Sequence, residues 1–376
     1  MARIFHCADI HLDSPFSLVS PKEAEQRKRE LRAAFTSALM FAKQQKSELL
    51  FISGDLFDCE YVTRDTKEML VSELGKLKEC RIFISPGNHD PYNDASPYKT
   101  IDFPENVHIF GEEKECVCID ELGVDVYGVG FGTAVYSKSP VVGYRIKNPD
   151  RINILVCHGE LSNPLSTNGP ITKNEIAASG FDYIALGHAH KPSGVLCENG
   201  VYYAYPGCIE GRGFDETGYK GALYGTVEKG KVHLNFETFS KRRYEIISID
   251  IDVIQSRAQA LEHIRSQIRS YNSDTALRII LTGRVAEGFL ISEGEIGKGM
   301  GFPYRLEIKD RTTLEPDFGE LEQSSTLKGV FYRFMREHMD NCTPASEEYY
   351  IALQALKYGL CALDERNVID FGEYEI

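Results

Sequence analysis

Five short apolar runs in this chain each end in acid, amide or imidazole. "ARIFHCADIH" ends in Asp9 and His11, "ELLFISGDLFD" in Asp55 and Asp58, and "RIFISPGNHD" in Asn88, His89 and Asp90. "INILVCHGE" delivers His158, and "DYIALGHAH" delivers His188 and His190. A short apolar run closed by a turn signal reads as a buried strand. In open α/β sheets the carboxyl edge of the strands is where ligands bind. Helical patterns lie between the runs. Ser20-Pro21-Lys22-Glu23 reads as a capping box with Pro at the first helical position, followed by Leu31, Phe35, Ala38 and Ala42 at helical spacing. Met69, Leu70, Leu74 and Leu77 repeat the pattern. The first part of the chain is therefore α/β, with further strands expected in "GVDVYGVGFG" and "GVYYAYPG".

Near Ser240 the character changes. "YEIISIDID" alternates as a strand, "SRAQALEHIRSQIRS" carries Ala260, Leu261, Ile264 and Ile268 on one helical face, and "ALRIILTGRV" is a second strand. These predict a small α+β domain. The acidic loop "LEPDFGELEQSS" follows, then two helical segments. The first carries Leu327, Val330, Phe331 and Phe334, the second Tyr349, Leu353, Leu356 and Leu360. The expected division is 1–241, 242–315 and a helical C-terminal region, 316–376.

Composition narrows the function. The 376 residues are 42% hydrophobic and 26% charged, enough for about two domains or slightly more with proper cores. No apolar stretch approaches the roughly 18 residues that span a bilayer, and acid and histidine come too early at the N-terminus for a secretory signal. The ten cysteines are scattered with no CxxC pair, so reduced thiols and a cytoplasmic protein are expected. The net charge of -14 means that any nucleic-acid role needs local basic groups, metal ions or a basic partner.

Five of the ten histidines fall in the strand-end motifs. Singly, each reads as a hydrogen-bonded structural residue, and Asp9 or Asp55 as a cap. Jointly, DxH, GDxxD, GNHD, a lone His and GHxH ask for more than structure. Carboxylate, amide oxygen and imidazole together suit hard and borderline divalent metals. No cysteine occupies these positions, unlike a structural zinc knot. A two-metal site of this kind clamps the attacking and leaving oxygens of a phosphoryl displacement.

"DIH", "GDLFD", "GNHD", "CHGE" and "GHAH" resemble the motif series of the calcineurin-like metallophosphoesterases. "ADIHLDSPF", with "GDLFD" and the "YPG" after the last histidines, resembles more narrowly the SbcD-type DNA repair exonucleases and their YhaO-like branch. The resemblance implies a four-layer α/β sandwich with two mixed β-sheets flanked by helices, followed by a capping domain and C-terminal helices. It implies that one metal takes Asp9, His11, Asp55 and His190. The other takes Asp55, Asn88, His158 and His188, with Asp55 bridging. Manganese is common in the family, and iron or zinc suits the same donors. A bridging hydroxide would attack phosphorus, and His89 would serve the leaving oxygen. Asp90 or Asp58 would orient His89, and spacing does not choose between them. Cys208 stands where many relatives carry Ser after "YPG".

The same resemblance implies DNA as substrate, both double-strand ends and single strands. It implies an SbcC-type coiled-coil ATPase bound through the C-terminal region, and relatives that often pair as homodimers. Lys191 and Arg212 are candidate phosphate contacts. Two rivals stand beside this reading. One is a stand-alone metallophosphatase or phosphodiesterase acting on a small phosphoester, with the C-terminal domain as a lid. The other is a regulatory subunit with a degenerate site, against which the complete ligand set speaks.

Overall fold

The computed structural model describes residues 1–363 except 18, 60, 253, 255, 286–288, 298–302 and 315–318. The chain divides into two units, Met1–Lys241 and Arg242–Ile376.

In the first unit the order is β1 (Ala2–Cys7), α1 (Pro21–Gln44), β2 (Leu49–Ile52), α2 (Arg64–Gly75), β3 (Arg81–Ile84), β4 (Val107–Ile109), β5 (Glu115–Ile119), β6 (Val124–Gly128) and β7 (Ile152–His158). It continues with β8 (Glu160–Leu161), β9 (Pro170–Ile171), α3 (Lys173–Ala178), β10 (Tyr183–Gly187), β11 (Leu196–Glu198), β12 (Val201–Ala204), β13 (Gly221–Glu228) and β14 (Lys231–Thr238). Two six-stranded sheets form, ordered β14-β13-β1-β2-β3-β4 and β11-β12-β10-β7-β6-β5. Both are mixed. β1 to β4 are parallel and β13 runs antiparallel to β1. β12, β10, β7 and β6 are parallel, with β11 and β5 antiparallel at the edges.

Alternation along the strands builds the layers, because successive side chains face opposite sides. Ile4, Leu49, Phe51 and Phe83 meet Val126, Ile154, Val156 and Ala185 between the sheets. Phe5, Cys7, Leu50 and Ile52 face outward onto Leu31, Phe35, Ala38 and Leu70 of α1 and α2. Leu155, Cys157, Ile184 and Leu186 face the other way, onto Ile176 of α3. The result is a four-layer α/β sandwich. α1 starts where the sequence places it: the Ser20 hydroxyl accepts from the Glu23 amide, with Pro in the first turn. All ten cysteines are free. Among the described residues, no helix is long and apolar enough to cross a membrane.

The second unit contains β15 (Arg243–Asp250), α4 (Arg257–Ile268), β16 (Thr275–Thr282), β17 (Arg284–Val285), α5 (Glu293–Gly297), β18 (Arg305–Asp310) and β19 (Thr313–Leu314). α6 (Gly319–Gln323), α7 (Leu327–Asp340) and α8 (Glu347–Ala362) complete it. β15, β16 and β18 form a parallel sheet. Ile264 and Ile268 of α4 pack in one core with Leu277 and Ile279 of β16. α6 lies inside the segment expected as an acidic loop. The 315/316 boundary and residues 364–376 of the expected helical region lie outside the described residues. Lys357 of α8 is buried and reaches back to Asp310 (3.1 Å), so the helices and the α+β part share one unit.

α7 has two apolar stripes. Tyr332, Met335 and Met339 pack on Leu353, Leu356 and Leu360 of α8. Leu327, Val330 and Phe334, read from the sequence as one face with Phe331, point outward with 70%, 50% and 68% exposure. Both stripes are spaced i, i+3, i+7, and one helix can bury only one of them against a single neighbour.

A histidine sits between the sheets of the first unit. His6 is buried, its Nδ1 2.8 Å from the Tyr183 hydroxyl and its Nε2 3.1 Å from Ser53 Oγ. Burial drives its imidazole down to about 3. The unfolded chain therefore takes up a proton below pH 6.5 that the folded chain refuses. This contribution to stability is complete above pH 6.5 and is lost as pH falls toward 3, by about 1.4 kcal/mol per pH unit. In urea titrations between pH 7 and pH 4, we expect His6→Gln to lose less stability on acidification than the wild type.

Candidate metal centre

The motif residues follow the carboxyl ends of β1, β2 and β3 in one sheet and of β7 and β10 in the other. The loops are zipped together by backbone bonds: Asp9 N donates to Gly54 O (3.1 Å), His11 N to Asp55 O (2.9 Å) and Leu12 N to Leu56 O (2.9 Å). Asp9, His11, Asp55 and His188 all have positive φ (52°, 51°, 51° and 111°). Non-glycine residues held there cost of order 1–3 kcal/mol each and persist where the surroundings over-determine them. The sheets also approach closely here. A Cβ on Gly187 would stand 1.7 Å from Ser53 O. Only hydrogen fits between β10 and the β2 loop.

Three imidazoles are pinned by their outer nitrogen. His158 Nδ1 lies 3.0 Å from Ser53 O, His11 Nδ1 2.8 Å from Asp58 Oδ1, and His190 Nδ1 2.7 Å from Glu216 Oε1. A carbonyl only accepts, so His158 carries its proton on Nδ1 and leaves Nε2 bare. The carboxylates act likewise. Burial raises Asp58, but the hydrogen bond and charge of His11 and the Arg212 guanidinium outweigh it and hold the carboxyl at about 2. Burial also raises Glu216, and the His190 bond and Arg212 bring it well below the usual carboxylate range.

The bare nitrogens then face other acceptors. His11 Nε2 is 3.2 Å from His190 Nε2, and His158 Nε2 is 3.0 Å from Asn88 Oδ1. Asp55 Oδ2 lies between these groups, 3.8 Å from His11 Nε2 and 3.5 Å from His158 Nε2. Burial lowers the His190 imidazole, but the Glu216 hydrogen bond and the Asp9 and Glu216 charges raise it overall, so a proton can stand between the two Nε2 atoms where a cation otherwise would. The donor set fits divalent metal. Among the described residues, five groupings bring their ligand atoms within 4.8 Å of one another, and two of them consist wholly of motif residues expected as ligands: Asp9, His11 and His190, and Asp9, Asp55 and His158. Burial pushes the imidazoles of His11, His158 and His188 down, toward the neutral form that binds metal. His188 packs edge-on against His158, its amide donates to Asp9 (3.0 Å), and its Nε2 faces Glu160 at 4.0 Å.

His89 is exposed at the rim. Its ring meets His11 edge-on, its Nδ1 is 3.6 Å from Asp58 Oδ1, and its amide donates to Asp55 Oδ1 (3.0 Å). Asp58 is thus the carboxylate beside His89. Asp90 sits elsewhere, buried, accepting from Gly87 N (2.7 Å), Asp55 N (3.2 Å), Phe57 N (3.1 Å) and Tyr98 Oη (2.5 Å). Its role in the structure is to tie the β2 and β3 loops together. Lys191 is exposed.

Arg212 is partly exposed, and its guanidinium is engaged by carboxylates. It donates to Asp58 Oδ1 (3.0 Å) and to Glu216 Oε1 (3.0 Å from Nη2) and Oε2 (2.8 Å from its amide). Cys208 is buried behind the same group, 3.6 Å from Glu216 Oε2, so it touches a support of His190. Sequence reasoning missed Glu216. The Arg-x3-Glu spacing was visible, but it follows no strand-end motif.

Residues 2–192 match the calcineurin-like phosphoesterase family, and the chain belongs to it. It is a metallophosphoesterase, a hydrolase of phosphoesters from a family that uses a divalent metal pair. Among curated proteins, it is 29% identical over 299 residues to the uncharacterized metallophosphoesterase YhaO of Bacillus subtilis (strain 168), covering 76% of this chain and 72% of that one. It is 26% identical over 339 residues to the DNA double-strand break repair protein Mre11 of Saccharolobus solfataricus, covering 84% of each. With Mre11 of Methanopyrus kandleri it shares 23% identity over 264 residues, 66% of this chain and 57% of that protein.

The close approach at Gly187 carries a test. A methyl group there must displace backbone, so we expect Gly187→Ala to destabilise the chain by more than about 3 kcal/mol in urea denaturation, or to prevent folding.

Proposed function

We propose that this chain is a di-metal DNA nuclease of double-strand-break repair, working with an SbcC-type ATPase. The observation that carries the reading is the reach of the Mre11 similarity. A match over 84% of the chain runs well past Lys241 into the second unit, which a small-molecule phosphatase would not require.

In this reading Asp9, His11, Asp55 and His190 hold one metal and Asp55, Asn88, His158 and His188 the other, manganese being the first assignment. Such a pair, when bound, activates water and neutralises charge on the phosphate. The chain supplies the rest. Ser53 O, Asp58 and Glu216 fix the tautomers of His158, His11 and His190, so that their Nε2 atoms point inward. His89, reachable from solvent and steered by Asp58, gives a proton to the leaving oxygen. The outward stripe of Leu327, Val330 and Phe334 supports α7 as the surface that receives the ATPase.

With Mn2+ and end-labelled duplex or single-stranded DNA, we expect hydrolysis that falls about 10²–10⁴-fold in His89→Ala, while bound Mn2+ per chain is unchanged. Turnover of a small phosphomonoester without DNA cleavage, with and without the ATPase, would contradict the proposal. Phe334→Glu is expected to abolish co-purification with the ATPase and to leave DNA hydrolysis by the isolated chain as it was.

A further inference from the structure

The two candidate metal positions are supported unequally, and the difference centres on Arg212. His11 and His190 are each pinned by a carboxylate, Asp58 and Glu216. The guanidinium joins these two carboxylates, through Nη1 to Asp58 Oδ1 (3.0 Å) and through Nη2 and Nε to Glu216 Oε1 (3.0 and 3.2 Å). His158, by contrast, leans on a neutral carbonyl, and His188 has Glu160 only at 4.0 Å.

We propose that Arg212 is a positioning residue that locks His11 and His190 as a pair, so that one of the two metal positions is built around a single, partly buried guanidinium. The inference rests on the metal reading given above. Two features support it. The residues it joins come from distant parts of the chain: Asp58 and Arg212 are 154 residues apart, His11 and His190 179. A shared partner makes their outer supports move together. In addition, the planar fork of guanidinium fixes two carboxylates at set angles, which a lysine ammonium cannot do. Outer partners of this kind typically change metal affinity 10–100-fold when removed.

The test is Mn2+ binding by calorimetry and by electron paramagnetic resonance of free Mn2+, on the full chain, without substrate. Arg212→Lys keeps the charge and loses the fork; Arg212→Met loses both. Urea denaturation in chelator verifies that the variants fold. Wild type is expected to bind two Mn2+ per chain. Arg212→Lys is expected to bind one with wild-type affinity and the second about tenfold or more weakly, with activity restored at high Mn2+. Glu216→Gln is expected to weaken the same position, and the double variant to lose less than the product of the two single effects. If folded Arg212→Lys and Arg212→Met bind two Mn2+ as wild type does, the clamp is wrong and the metal reading stands. If both positions weaken equally, the selectivity is wrong. If wild type binds no Mn2+ pair, the metal reading fails and the clamp with it.

Discussion

The structure depends on one electrostatic constraint: imidazole nitrogens and amide and carboxylate oxygens brought face to face in one cleft. His11 and His190 face each other through Nε2 at 3.2 Å, and His158 faces Asn88 Oδ1 at 3.0 Å. These contacts persist because each imidazole is fastened from behind, to Asp58, Glu216 or Ser53 O. The fastenings are in turn held by Arg212, by the backbone zipper between the β1 and β2 loops, and by Asp90 with its four donors. The fold thus holds a crowded donor set in an arrangement suited to a cation.

Both sheets serve that end. Their facing carboxyl edges bring residues from Asp9 to Glu216 into one cleft, and the close approach at Gly187 brings the two edges together. The positive φ values at Asp9, His11, Asp55 and His188 turn the backbone out of strand geometry just where side chains must face inward. Strain of this kind concentrates at functional positions and is offset by packing elsewhere. Here that packing is the core between the sheets, which continues behind every one of the motif loops.

Much of this was legible in the sequence, because the relevant signals are local. A strand ending in DxH or GNHD states its own chemistry within a few residues. The layered α/β architecture follows from such runs repeated with helices between them. What was not legible depends on long-range closure. Asp58 and Asp90 are both within reach of His89 along the chain, and only the folded loops show that Asp90 is occupied with backbone amides. Arg212 looked like a surface cation, since nothing near it in sequence reveals the two carboxylates it joins. In α7 two apolar stripes have the same spacing, and only the position of α8 decides which is buried.

The central claim, a pair of metal positions sharing Asp55, is tested most directly by anomalous diffraction at the manganese edge from crystals grown with Mn2+. The account expects two peaks, one beside His11 and His190 and one beside Asn88 and His158, with Asp55 between them. A single peak, or peaks away from these side chains, would contradict it.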